Sequence, residues 1–278
     1  MTVFSFELET PDPVRLGLII LQADETIERD FRRLLPVETA CHVSRVPSGL
    51  EVTQETLLAM RAHLPSAARL FPDALRFDAI GYACTSGASV IGSARVAELV
   101  REGAQAEAIT DPVQALIAAC RACGVTRLAL LSPYVEDVSD MLRQRLAEGG
   151  VETPVFGSFN VAEEAKVARI APASVIDAAT LLGADPSVEA VFLSCTNLRT
   201  LGLLEEVETR IAKLVFSSNL VLAWHLCRLS GARMEPGSGG CQRLREAGAG
   251  SCISAMSLSG MSQDQPRVAA MWRRVVSR

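Results

Sequence analysis

Arg15-Leu16-Gly17-Leu18-Ile19-Ile20-Leu21 opens a stretch that later reaches Asp78-Ala79-Ile80-Gly81-Tyr82-Ala83-Cys84-Thr85-Ser86. The chain then repeats the pattern: Arg127-Leu128-Ala129-Leu130-Leu131-Ser132-Pro133 reaches Glu189-Ala190-Val191-Phe192-Leu193-Ser194-Cys195-Thr196-Asn197. The copies are offset by 112 residues at the arginine and by 111 at the cysteine. Each begins with a short continuous apolar run, the mark of a strand buried in a parallel sheet. A duplicated α/β half with Cys-Thr at one matching strand end sets two thiols facing each other across a pseudo-two-fold cleft. That is the layout of a two-base racemase or isomerase.

Outward from these runs, strand-like and helix-like segments alternate, which means βαβ units and a parallel sheet in each half. In the first half, strands are expected at 16–21, 39–46, 79–83 and 104–109. Helices are expected at 26–35, at 53–64 and 66–71 with a break at Pro65, and at 88–102. Asp24 is a candidate cap for the first helix, and Asp111-Pro112 starts the next one. In the second half, strands are expected at 127–131, 152–159 and 190–194, with helices at 138–148 and 173–182 and a helical stretch from Leu201. An apolar helix over 217–229 is expected to return and pack on the first half. The expected domains are 14–112 plus 216–230, carrying Cys84, and 113–215, carrying Cys195. The Gly/Ser/Ala-rich segment 231–278 reads as a flexible tail, with 267–276 able to form a short basic helix.

Composition narrows the function. Apolar residues make up 49% of the 278 and aromatics 5%, so the core is aliphatic. A net charge of −5 offers no basic field for nucleic acid. Only Lys166 and Lys213 could form a Schiff base with pyridoxal phosphate, and both lie in charge-dotted, helix-like stretches that suit solvated surface. No apolar run approaches the ~20 residues needed to cross a bilayer, and the N-terminus lacks the features of a signal peptide. The expectation is a soluble cytoplasmic protein with no membrane partner. Its eight cysteines then read as free thiols.

Cys84 and Cys195 each follow strand residues and precede a helical stretch, where sheet ligands bind and helix N-termini favour anions. A lowered thiol pKa is expected there. The hydroxyls of Thr85, Ser86 and Thr196 and the amide of Asn197 can hold a substrate carboxylate. Removing a proton α to a carboxylate needs a base on one face, an acid on the other and oriented donors. Paired cysteines, one thiolate and one thiol, meet that demand; as the bland alternative, each is a small apolar residue at a strand end. Asp24 and Glu25 follow the first strand and by topology face the same cleft, where they would repel a dicarboxylate and welcome an ammonium. Tyr134 holds the equivalent place in the second half, and Asn160 follows the next strand. Cys120-x-x-Cys123 lies at a helix C-terminus with no second pair, so neither a redox nor a metal role is expected.

The motifs Cys84-Thr85-Ser86-Gly87 and Ser194-Cys195-Thr196-Asn197 resemble those of the aspartate/glutamate racemase superfamily, in its maleate isomerase and arylmalonate decarboxylase branch. The stretch from Leu18 to Phe31 resembles the ectoine-utilisation protein A group. The resemblance implies two Rossmann-like α/β domains with the active site between them and no cofactor. It implies that Cys84 adds to substrate or serves as base, and that Cys195 handles a proton. It further implies substrate contacts at Tyr134 and Asn160. The decarboxylase has glycine at the first cysteine position, so Cys84 argues against simple decarboxylation. Maleate isomerases carry Ser-Asn-Thr where this chain has Asp24-Glu25-Thr26, which argues against maleate. The expected function is a racemase or isomerase of a small carboxylate or amino acid, of the kind met in ectoine breakdown; a homo-oligomer is compatible with it. The alternatives are a maleate-type isomerase with a covalent Cys84 adduct and a metabolite-binding protein that lost the chemistry.

Overall fold

The computed structural model describes residues 1–9, 14–235 and Leu244. Four parallel strands form the first sheet: β1 (Arg15–Leu21), β2 (Ala40–Val46), β3 (Phe77–Ala83) and β4 (Ala106–Thr110), in the order β2-β1-β3-β4. The second sheet has β5 (Arg127–Ser132), β6 (Glu152–Ser158), β7 (Ala190–Leu193) and β8 (Leu214–Ser217), in the order β6-β5-β7-β8. The two orders are the same permutation, so the duplication in sequence is a duplication in space. Leu16, Leu18, Ile19 and Ile20 of β1 and Leu128, Ala129 and Leu130 of β5 have no exposed surface. That is why both runs are apolar throughout instead of alternating.

Helices link the strands: α1 (Ile27–Leu34), α2 (Gln54–Ala59), α3 (Leu64–Ala68), α4 (Thr85–Ile91), α5 (Ser93–Arg101) and α6 (Pro112–Cys123) in the first half. The rest are α7 (Glu136–Glu148), α8 (Glu164–Val167), α9 (Pro172–Gly183), α10 (Leu204–Ile211) and α11 (Ser218–Ser230). Asp24 Oδ1 accepts the N–H groups of Thr26 and Ile27, both at 2.8 Å, so it does open α1. Asp111 does the same for α6 through Val113 and Gln114. The apolar helix α11 packs on β1, β3 and β4 of the first sheet and against α6.

Several boundaries differ from expectation. The helical stretch after β2 breaks at His63, and Pro65 sits inside the first turn of α3, where its missing N–H costs nothing. The single helix expected over 88–102 is two, because Gly92 adopts φ +88° and turns the chain between α4 and α5. The fourth strand of the second sheet, β8, lies where no strand was expected, after the helical stretch from Leu201. Ala212 takes a left-handed conformation at φ +53° and ends α10, which frees Leu214 to Ser217 to pair with β7. Of the expected tail, Gly231 to Glu235 are described: Gly231 closes α11, and the Glu235 N–H donates to the Leu34 carbonyl at 2.8 Å. The remainder of that expectation, including the helix over 267–276, falls outside the described residues apart from Leu244. Among the described residues no helix is long and apolar enough to cross a membrane, and the six cysteines are free thiols.

Candidate active site

The C-terminal ends of β3 and β7 meet. Cys84 is the N-cap of α4, and its Sγ accepts the Gly87 N–H at 3.2 Å. Cys195 follows β7 with φ +95°, a left-handed conformation that costs a non-glycine residue strain and occurs where a site holds it in place. The Cys195 N–H donates to Ser218 Oγ at 3.0 Å, and that oxygen lies 2.8 Å from Thr85 Oγ1. The Thr196 hydroxyl donates to the Ala83 carbonyl at 3.3 Å, and the Thr196 carbonyl accepts from Asn219 Nδ2 at 2.9 Å. The same amide donates to Asp30 Oδ2, a buried carboxylate of α1. The two cysteine motifs are thus tied to each other through the first turn of α11.

Around Cys195 runs a chain of polar groups. The Tyr134 hydroxyl lies 2.9 Å from Cys195 Sγ and donates to Glu164 Oε2 at 2.8 Å. Glu164 Oε1 accepts from Asn197 Nδ2 at 3.0 Å, and the Asn197 N–H donates to Cys195 Sγ at 3.3 Å. A phenol has one proton to give. While it serves the Glu164 carboxylate, the Cys195 thiol must donate to the phenol oxygen, giving the order Cys195 S–H, Tyr134 O–H, Glu164. The other tyrosine of the chain, Tyr82, stands beside the other cysteine: its hydroxyl interacts with the Cys84 thiol and reaches Met60 Sδ at 3.8 Å.

Of the residues singled out in sequence, Cys84, Thr85, Ser86, Tyr134, Cys195, Thr196, Asn197 and Asp24 are brought together and buried. Thr85, Thr196 and Asn197 spend their polar side chains on the protein, whereas the Ser86 hydroxyl makes no hydrogen bond among the described residues. Glu25 turns away: its N–H donates to Asn197 Oδ1 at 2.8 Å, while its carboxylate pairs with Arg169 on the surface. Asn160 is exposed at φ +54°, its N–H given to Ser158 Oγ, and no hydrogen bond joins it to the cluster. Sequence reasoning passed over Glu164, Tyr82, Ser218 and Asn219. A cavity of about 1010 Å³ lies between α1 and β2 against Phe31, Leu35, Cys41 and Val43. It touches neither Cys84 nor Cys195.

Residues 78–244 match the family model described as arylmalonate decarboxylase. The chain belongs to the arylmalonate decarboxylase family. The arylmalonate decarboxylase of Bordetella bronchiseptica is 34% identical over 128 residues, which are 45% of this chain and 53% of that one. The maleate isomerase of Geobacillus stearothermophilus is 25% identical over 218 residues, 73% of this chain and 86% of that one. A doubly substituted arylmalonate decarboxylase solved in its liganded form superposes with a TM-score of 0.73 at 29% identity, covering 84% of this chain and 99% of that one. The fold is also that of the maleate isomerase of Pseudomonas putida S16, with a TM-score of 0.74, 24% identity and the same coverage. The two parallel four-stranded sheets are the architecture of this family.

Electrostatics in this member of the arylmalonate decarboxylase family run against the expected low thiol pKa. Burial pushes Cys84 up to about 12; the Gly87 N–H pulls it down, and the charges of Glu164 and Asp24 push it further up. Cys195 is raised well above its usual value, first by burial and then by Glu164. The Gly87 N–H in the first turn of α4 pulls the Cys84 pKa down, but taking the thiol out of water costs more than that hydrogen bond returns, so the expected low value is not met. Burial likewise raises Glu164, against the hydrogen bonds from Tyr134 and Asn197 that lower it, and it raises Asp24. Burial thus favours the thiol form of both cysteines until a substrate changes their surroundings.

Proposed function

We propose that the chain is a cofactor-independent racemase or isomerase in which Cys84 and Cys195 form an acid/base pair acting on a small amino carboxylate. The observation that carries this reading is that two cysteine motifs, at equivalent strand ends of a duplicated fold, are tied together through Ser218, with a separate tyrosine against each thiol. In one turnover the thiolate of one cysteine takes the proton α to the carboxylate, and the thiol of the other gives its proton to the opposite face. The two cysteines exchange protonation states and no net charge is left. When Cys195 is the donor, Tyr134 is placed to turn its proton onto the new thiolate. The Ser86 hydroxyl and the first N–H groups of α4 are free to hold the substrate carboxylate. Resemblance of the Leu18-to-Phe31 stretch to the ectoine-utilisation group supports a substrate among ectoine or hydroxyectoine breakdown products, such as a diaminobutyrate derivative.

Proton NMR in D₂O tests the reading with both enantiomers of 2,4-diaminobutyrate, its acetyl derivatives, hydroxyectoine, aspartate, glutamate and maleate. Loss of the α-proton signal of an amino carboxylate, absent with Cys195→Ser and with Cys84→Ser, is the expected result. Exchange at the full rate in both variants overturns the mechanism. A maleate-type reaction is the second reading, favoured by the match to maleate isomerases over most of their length. It requires maleate to turn into fumarate and a mass increase on Cys84 during turnover.

A further inference from the structure

Two buried carboxylates stand near the thiols, and neither forms an ion pair with a lysine or arginine among the described residues. Asp24 is 4% exposed and Glu164 2%. Both oxygens of Glu164 are engaged, by Asn197 and by Tyr134. Asp24 is half engaged: Oδ1 takes the two N–H groups that start α1, while Oδ2 is buried without a hydrogen bond of good geometry, the Thr196 hydroxyl beside this carboxylate giving its proton to the Ala83 carbonyl. Asn197 ties the turn that carries Asp24 to Glu164: its Oδ1 accepts the Glu25 N–H at 2.8 Å, its carbonyl accepts the Thr26 hydroxyl at 2.9 Å, and its Nδ2 donates to Glu164 Oε1 at 3.0 Å.

The neighbouring guanidinium groups are committed elsewhere. Arg45 gives Nη1 to the carbonyls of Leu21, Gln22 and Asp24 and Nη2 to the Glu28 carboxylate. Arg169 is held on the surface by Glu25. Buried carboxylates are ordinarily paired with a cation or fully hydrogen-bonded, and a buried acceptor with no donor calls for one from outside.

We infer that Asp24 Oδ2 and Glu164 form an ammonium subsite, so that the substrate is a carboxylate carrying a protonated amine close to the carbon on which Cys84 and Cys195 work. This rests on the two-cysteine reading and adds the residues that choose the substrate. An ammonium offers three donors that turn freely, one for Asp24 Oδ2 and another for a remaining lone pair of Glu164. A dianion such as maleate would set carboxylate against carboxylate in a dry site, where the repulsion is least screened. The arriving cation also offsets the charges of Asp24 and Glu164, which add to burial in keeping the thiols protonated. Thiolate formation is thereby coupled to the presence of the right substrate.

Titration calorimetry on the Cys84→Ser, Cys195→Ser double variant tests the subsite without turnover, using 2,4-diaminobutyrate and maleate as four-carbon probes. Diaminobutyrate is expected to bind at least ~10-fold more tightly than maleate. Adding Glu164→Gln or Asp24→Asn, each close in shape to the original, is expected to weaken diaminobutyrate by ~10-fold or more, the loss of one charge-assisted hydrogen bond. Glu163→Gln, next door but exposed and paired with Lys166, is expected to leave the preference intact. Equal binding of the two probes, binding of neither, or a preference unmoved by both Glu164→Gln and Asp24→Asn overturns the subsite. Because the readout needs no thiol, these results are separable from those of the exchange experiment. Preference without α-proton exchange in the native chain sinks the chemistry alone, and exchange without preference sinks the subsite alone.

Discussion

At the scale of single residues, the Tyr134 hydroxyl is the most informative atom, because it touches both a thiol and a buried carboxylate. Tyr134→Phe keeps the ring and deletes that contact. The expected outcome is a roughly 100-fold slower α-proton exchange, the contribution typical of a positioned acid or base, with substrate binding little changed. Stability should also fall by about 1–3 kcal/mol in urea titrations, because Glu164 Oε2 is left without a donor. Cys84, Cys195, Tyr134 and Asn197 were legible in the sequence because the repeat frames them. Glu164 was not. Glu163-Glu164-Ala165-Lys166 looks like a solvated charged turn, and Glu163 does pair with Lys166 on the surface. Its neighbour turns inward, and α8 is only four residues long, too short for any periodicity to tell the two apart. Asn160 shows the converse: a polar residue after a strand, correctly placed along the chain, whose left-handed backbone leaves it outside the cluster.

At the scale of elements, the site depends on how closely α4 and α11 approach the strand ends. A Cβ on Gly87 would lie 2.4 Å from the Tyr82 hydroxyl and 3.0 Å from Cys84 Sγ. Gly87→Ala should therefore push α4 away from β3, costing about 1–3 kcal/mol of stability as an overpacked core does. Exchange activity should fall further than stability alone explains, read as rate per folded molecule. Ser218 begins α11 and joins the Cys195 N–H to the Thr85 hydroxyl, so Ser218→Ala strands a buried donor. An expected loss of about 1–3 kcal/mol in chemical denaturation would confirm that this turn fastens the two halves. Most elements were readable because parallel strands announce themselves as apolar runs between capped helices. The exceptions turn on single backbone angles. Leu214 to Ser217 is too short a run to be told from the end of a helix, and only the left-handed Ala212 separates them. Gly92 divides one expected helix into two by the same means.

At the scale of the whole molecule, the duplication made the architecture readable: one strand order used twice sets the two cysteine motifs at equivalent strand ends, and the bonds through Ser218 and Thr196 join them. What the sequence could not give was the balance between a helix terminus and burial, since desolvation is a property of the assembled fold. That balance has a consequence that can be measured on the folded protein as a whole. Burial holds Cys84, Cys120 and Cys227 up at about 12, against 9.0 for an unperturbed thiol. Below pH 9 these groups are protonated in both the folded and unfolded chains and stability does not depend on them. Between pH 9 and 12 the unfolded chain releases protons that the folded chain retains, so folding stability falls as pH rises, by about 1.4 kcal/mol per pH unit for each thiol. The expected result is a melting temperature that drops steeply above pH 9 in a thermal unfolding series. Replacing Cys120 and Cys227, which lie away from the site, by alanine should flatten that drop. A slope unchanged by their removal would place the alkaline sensitivity in other groups. An alkylation profile of Cys84 that rises near pH 7 instead of well above pH 9 would show that the free site opens enough to hydrate its thiols.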